Sequence, residues 1–204
     1  MEFYFSIVLF AFTATITPGP NNVMIMTSGV NFGIGKSLPH LFGICFGFPL
    51  MAIMVGMGVS VVFDNYPFIH ELIKIAGILY LLYLAWLIAT SSSFTQRDAQ
   101  FKPLGFWQAA IFQWVNPKAW VMVTGAVAAF TTTAGNIYYQ VLVIALAFFA
   151  VSFPCVGSWL VFGVGLKKIL KSPRHLRLFN ISMALLLVFS ILPVIQDLFI
   201  RYAS

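Results

Sequence analysis

Charge is what this chain has least of. Of its 204 residues only 8 % are Asp, Glu, Lys or Arg, and just five of those are acidic. Soluble domains carry about 25 % charged residues, so a soluble class is excluded, and the 61 % hydrophobic content points to an integral membrane protein. Cysteine is scarce too. Cys45 and Cys155 are the only two, which excludes a zinc ligand set and a disulfide framework. The basic residues, although they give a net charge of +6, are scattered between apolar blocks instead of forming a stripe, which argues against a nucleic-acid surface. No metal or cofactor motif is present, and nothing reads as an enzyme.

What the chain does have is long apolar blocks. No Asp, Glu, Lys, Arg or His occurs in residues 3–35, 41–63, 75–96, 119–166 or 178–196, and a helical crossing needs about 20 apolar residues. The fourth block is long enough for two crossings and is divided by the polar "TTTAGN" at 131–136. The expectation is therefore an all-α integral membrane protein of six spans, near 3–28, 38–62, 70–89, 110–131, 138–165 and 177–197. The start "MEFYF" has no basic n-region, so it reads as part of the first span and not as a cleaved leader. Lys36, Arg97, Lys102, Lys167, Lys168, Lys171, Arg174 and Arg177 fall in alternate connections, against Lys74 and Arg201 on the other side. That asymmetry puts both termini outside the cytoplasm.

Proline then organises the spans. "TPGPN" (17–21) interrupts the first and "VNPK" (115–118) opens the fourth, while "FP" recurs at 48–49 and 153–154 in the second and fifth. Three spans is an odd number, so a second copy of the unit enters the membrane from the opposite side. The expected organisation is a 3+3 inverted-topology repeat with broken helices 1 and 4: one transporter domain over 1–204, with repeats 1–90 and 107–204 joined by a cytoplasmic linker at 91–106. The glycines of spans two and five read as packing positions.

The breaks are the candidate sites. Pro18 and Pro20 each lack an amide donor, and Gly19 between them relaxes the backbone, so span one unwinds there and leaves orphan carbonyls before the break and amides after it. Asn21 and Asn22 supply donors and acceptors. The half-helix that begins near Pro20 offers its N-terminus to an anion. In the fourth span Asn116 caps, Pro117 suits the first turn, and Lys118 stands at a helix N-terminus, where a cation is unfavourable. Lys118 thus calls for a compensating anion, for which a substrate carboxylate qualifies. No acidic residue lies within the middle of any span, so a neutral zwitterion fits better than a basic amino acid. Asp64, His70, Glu71 and Lys74 gather at the outer ends of spans two and three as solvated charges, and His40 and His175 sit at cytoplasmic boundaries in interfacial roles.

The order of "TPGPNN", "GIGKSLPHLFGICFG", "KIAGILYLLYLAWLIA" and "VNPKAW" resembles the LysE/RhtB family of bacterial amino-acid exporters over nearly the whole chain, closest to the branch exporting cysteine and O-acetylserine. The resemblance implies an inner-membrane efflux carrier, an antiporter driven by protons or another cation, with no cofactor. Its motif residues here are Pro18, Gly19, Pro20, Asn21, Asn116, Pro117 and Lys118. The partners it implies are an amino-acid substrate, the lipid bilayer and a coupling proton, with a homodimer left open.

The expected function is export of neutral amino acids or derivatives of the cysteine, O-acetylserine or homoserine/threonine type by alternating access, with Pro18, Gly19, Pro20, Asn21, Asn22, Asn116, Pro117 and Lys118 at the substrate. The alternative from another class is a thiol–disulfide electron conductor using Cys45 and Cys155, which sit at corresponding places in spans two and five. Neither thiol belongs to a C-x-x-C motif.

Overall fold

The computed structural model describes residues 2–59, 65–90, 102–132, 135–170 and 172–203. Among the described residues the regular structure is helical throughout. The helices are α1 (Glu2–Ile16), α2 (Pro20–Met54), α3 (Pro67–Thr90), α4 (Phe106–Val115), α5 (Pro117–Phe130), α6 (Ile137–Ile169) and α7 (Pro173–Ala203), with a π-helical turn at Val55–Val59 extending α2. Prolines open α2, α3, α5 and α7, where the missing amide would be an orphan in any case. Asn136 caps α6 by accepting from the Tyr139 amide at 3.2 Å, and Lys167 and Lys168 occupy its last turn, where the dipole favours cations.

Among the described residues four stretches are long and apolar enough to cross a membrane: Pro20–Gly58, Glu71–Thr90, Ile137–Ile169 and Pro173–Gln196, with Glu2–Ile16 and Pro117–Phe130 as shorter apolar helices. The outside is apolar as well. Trp107 is 74 % exposed, Val121 72 % and Trp86 68 %, a surface that calls for lipid, not water.

The helix breaks match only part of the proline pattern. The chain leaves helix between α1 and α2 at Thr17–Gly19 and between α4 and α5 at Asn116, as expected. Pro49 and Pro154, read as breaks in spans two and five, instead lie inside α2 and α6, as do Pro39 in α2 and Pro193 in α7. A proline removes one hydrogen bond, and a helix packed on its neighbours can continue through that loss. The connection expected at about 29–37 is not a loop. Its only non-helical residue is Gly33, with φ 77° and ψ 179°, where α2 bends in the middle.

Helices α2 and α6 form the central pair, flanked by α4 and α1, while α3 packs chiefly on α7. Of the glycines read as packing positions, Gly163 serves that pairing, since a Cβ on it would fall on the Met26 carbonyl of α2, and Gly43 and Gly47 meet α4, whereas Gly58 and Gly165 have nothing within 4 Å of an added Cβ. One apolar cluster joins α1, α2, α5 and α6 through Ile7, Phe48, Val123 and Phe148, and another joins α3 to α7 through Leu84, Ile88, Leu187 and Ile191. The breaks at Gly19 and Asn116 lie within this frame and bring polar groups into it.

Candidate functional site

The C-terminal end of α1 shows how the breaks are held. A helix leaves its last carbonyls without intrahelical partners, and in an apolar interior each must find another donor. Thr17 Oγ1 donates to the Ala14 carbonyl at 2.9 Å. Asn22 Nδ2 donates to the Thr15 and Thr17 carbonyls at 2.7 and 2.8 Å. Trp159 Nε1, from α6, donates to the Ile16 carbonyl at 2.9 Å. Lys118 Nζ, from α5, donates to the Thr17 carbonyl and Thr17 Oγ1 at 2.7 Å each and to the Pro18 carbonyl at 3.2 Å. All three ammonium donors are thereby engaged.

Lys118 therefore does not reach outward. It is half-buried and its stem crosses directly over Gly19, where a Cβ would lie 2.5 Å from Lys118 Cδ. Its unfavourable position at the start of α5 is offset by the partial negative charge at the end of α1.

Asn21 is tied to the other break. Its Nδ2 donates to Gln113 Oε1 at 2.8 Å, and Gln113 Nε2 donates back to Asn21 Oδ1 at 3.2 Å and also to the Ala109 carbonyl at 2.8 Å. Gln113 is fully buried. Sequence reasoning gave this glutamine no role; a carboxamide among apolar residues in the last turn before a helix break was the available signal. Asn116, 1 % exposed, caps α5 through an Oδ1 that accepts from the Lys118 amide at 3.2 Å.

The two breaks thus exchange side chains. Asn21 and Lys118 each follow a proline that opens a half-helix, and each reaches to the chain just before the other break. At their meeting point lies a small, partly open pocket with a cavity volume of about 30 Å³. Its polar wall is Gly19, Asn21, Asn22, Asn116, Lys118, Thr15 and Ser152, and its apolar wall includes Ile44, Phe48, Met122 and Val156. Five of the eight residues singled out from sequence line it. Pro18 contributes a carbonyl to Lys118, while Pro20 and Pro117 start the half-helices. No side chain caps α2 at Gly19, so its first amides are available to a ligand.

Other candidates fall elsewhere. Cys45 and Cys155 are free thiols buried in different apolar clusters. His40, expected at an interface, is only 1 % exposed, with Nδ1 3.2 Å from Ser28 Oγ and Nε2 without a partner; the bend at Gly33 turns this part of α2 inward. Asp64 and most of the 91–106 linker lie outside the described residues.

Apolar helices long enough to cross a bilayer, with a polar pocket where two of the helical runs are interrupted, define a multi-pass membrane transport protein. The comparison with known families agrees. The family model described as "LysE type translocator" matches residues 12–195, and the chain belongs to that family. It is 37 % identical over 105 residues to the cysteine/O-acetylserine efflux protein of Escherichia coli (strain K12), a match covering 50 % of this chain and 52 % of that protein. The protein of the same name from Salmonella typhimurium is 36 % identical over 104 residues, with the same coverage. The chain thus spans about half the length of the curated relatives it matches. No solved structure matches it.

Proposed function

We propose that this chain exports neutral amino acids or their derivatives, of the cysteine, O-acetylserine or homoserine/threonine type, across the bacterial inner membrane by proton-driven alternating access. The observation that carries the reading is the convergence of two half-helix N-termini and one lysine on a single pocket. A carboxylate suits the uncapped first turn of α2 together with Lys118, and the Asn22 carbonyl oxygen, not used in holding α1, suits an ammonium. The family membership and the names of the relatives support amino-acid export.

In this reading the chain crosses the membrane six times, with both termini periplasmic. Helix α1 and the part of α2 before Gly33 form the first crossing, and the rest of α2 the second. Helix α3 is the third, α4 with α5 the fourth, and α6 and α7 the last two. Helices α4 and α5 contain 10 and 14 residues, together about 36 Å at 1.5 Å per residue, enough for a hydrocarbon core of about 30 Å. The reciprocal exchange between the breaks supports a 3+3 inverted repeat.

Lys118 links binding to motion. Its ammonium has three donors, all engaged with the end of α1, so an arriving carboxylate must take over at least one of them. The end of α1 is then held less tightly to α5, and one three-span unit is freed to rock against the other.

The test is efflux from cells overproducing the wild-type chain, Lys118→Ala or Asn21→Ala, loaded with neutral, basic and acidic amino acids plus O-acetylserine. Wild type should release the neutral compounds selectively and stop when a protonophore is added, and each variant should lose about tenfold or more at equal membrane abundance. The reading fails if both variants export like wild type, or if wild type releases nothing above background.

A further inference from the structure

One polar atom at the pocket wall is used for nothing in the protein. Thr15, in the last turn of α1, is 9 % exposed and lines the pocket, and its hydroxyl has no hydrogen-bond partner. Threonines in apolar helices ordinarily turn this hydroxyl onto a carbonyl three or four residues back. Thr13, Thr27 and Thr124 all do so, onto Leu9, Val23 and Trp120 at 2.7 to 2.9 Å. Thr15 does not. A buried hydroxyl left unpaired is destabilising; this one is covered in the substrate-free protein, and a turn of the side chain about χ1 presents it to the adjoining pocket, where a ligand can pair with it. Ser152 of α6, 2 % exposed, lines the same pocket.

We propose that Thr15 and Ser152 form the subsite for the side chain of the exported amino acid, and that they select a short side chain carrying a hydroxyl, thiol or ester over its apolar isostere. The inference rests on reading the pocket as the export site. The division of labour follows from position. Thr15 lies half a turn deeper in α1 than Thr17, whose carbonyl Lys118 holds, so the carboxylate end and the side-chain end of a bound amino acid meet different groups. The apolar wall, with Phe48, Met122 and Val156, and Lys118 as the charged residue among those lining the pocket, give a cationic side chain no partner, which excludes basic amino acids. Sites built to pair a substrate hydroxyl reject the analogue that lacks it more strongly than apolar pockets reject an extra methylene.

The test uses the full chain reconstituted in liposomes of bacterial lipid, with initial efflux rates measured for two isosteric pairs, serine with 2-aminobutyrate and threonine with valine. Wild type should favour the hydroxyl-bearing member by about tenfold or more. Thr15→Val should bring that ratio to within about twofold, with the loss falling on the hydroxyl-bearing member, and Ser152→Ala should lower the ratio in the same direction. Thr15→Val should also raise the thermal midpoint of the substrate-free protein, because it replaces an unpaired buried hydroxyl with a methyl group. Unchanged ratios in both variants, or equal loss of both members of each pair, overturn the subsite and leave the exporter reading intact. If wild type moves neither member of either pair, the exporter reading fails and the subsite with it. Should Thr15→Val not fold, Ser152→Ala decides alone: a lowered ratio supports the subsite and an unchanged one overturns it.

Discussion

Replacing Gly19 with alanine tests whether Lys118 is held where the pocket needs it. The backbone at Gly19 is extended, with φ 176° and ψ 178°, so alanine meets no conformational barrier there. By itself the change should stabilise slightly, by about 0.4–1 kcal/mol, because it restricts the unfolded chain. The obstacle is the lysine: the new Cβ would lie 2.5 Å from Lys118 Cδ and 3.2 Å from Nζ, against about 3.5–4.0 Å for carbon atoms in contact. The stem must move by about 1 Å, and Nζ, now at 2.7, 2.7 and 3.2 Å from its three acceptors, then loses one or two of them. Hydrogen bonds to charged groups contribute about 1.5–3 kcal/mol each, and the half-exposed position of Lys118 reduces this to about 1–2 kcal/mol in all. Gly19→Ala should therefore destabilise the wild-type protein by about that much, yet stabilise Lys118→Ala, where the colliding stem is gone. Denaturant midpoints in detergent micelles for the four proteins of this double-mutant cycle give the comparison. An equal cost of Gly19→Ala in both backgrounds would refute the contact and the latch built on it.

Gln113→Leu removes the reciprocal pair with Asn21 and should cost about 1–3 kcal/mol in the same unfolding assay; Asn21→Ala should cost at least as much, because it strands a fully buried carboxamide. Gly33 has nothing within 4 Å of an added Cβ, so Gly33→Ala and Gly33→Asn probe backbone strain alone, and each should lower stability by about 1–3 kcal/mol. Gly163→Ala would drive a Cβ into the Met26 carbonyl and push the central helices apart, with a loss of more than about 2 kcal/mol and reduced yield of folded protein in membranes.

Proline was informative in the sequence only where polar neighbours accompany it. Pro20 and Pro117 open half-helices, and Asn116 caps the second of them. These features are local, and local rules predict them. Pro49 and Pro154 have the same ring but sit among apolar residues, with Phe48 and Cys155 beside them in the core. A break there would expose carbonyls to lipid with no donor nearby, so the helices continue. Around Thr17–Gly19 the donors come from Asn22, five and seven residues on from the carbonyls it holds, but also from Trp159 and Lys118, more than a hundred residues away. The bend at Gly33 was hidden for the opposite reason. A connection was expected at about 29–37 from the bounds of the first two spans, yet one glycine with positive φ turns the chain and helix resumes immediately.

Lys118 marks where local electrostatics gave the right question and an incomplete answer. A cation in the first turn of a helix does need a negative partner, and from the sequence a substrate carboxylate was the partner in view. The chain supplies another, the carbonyls left when α1 ends. In the proposed transport cycle these two partners are rivals for the same three donors, and that rivalry is useful to a carrier. A lysine with no internal partner would hold an anion too tightly to release it, whereas one that returns to the end of α1 recovers its hydrogen bonds as the substrate leaves. The partial charge on a helix end is weaker than a carboxylate, so the exchange favours binding by a small margin and can be reversed when the pocket opens to the other side.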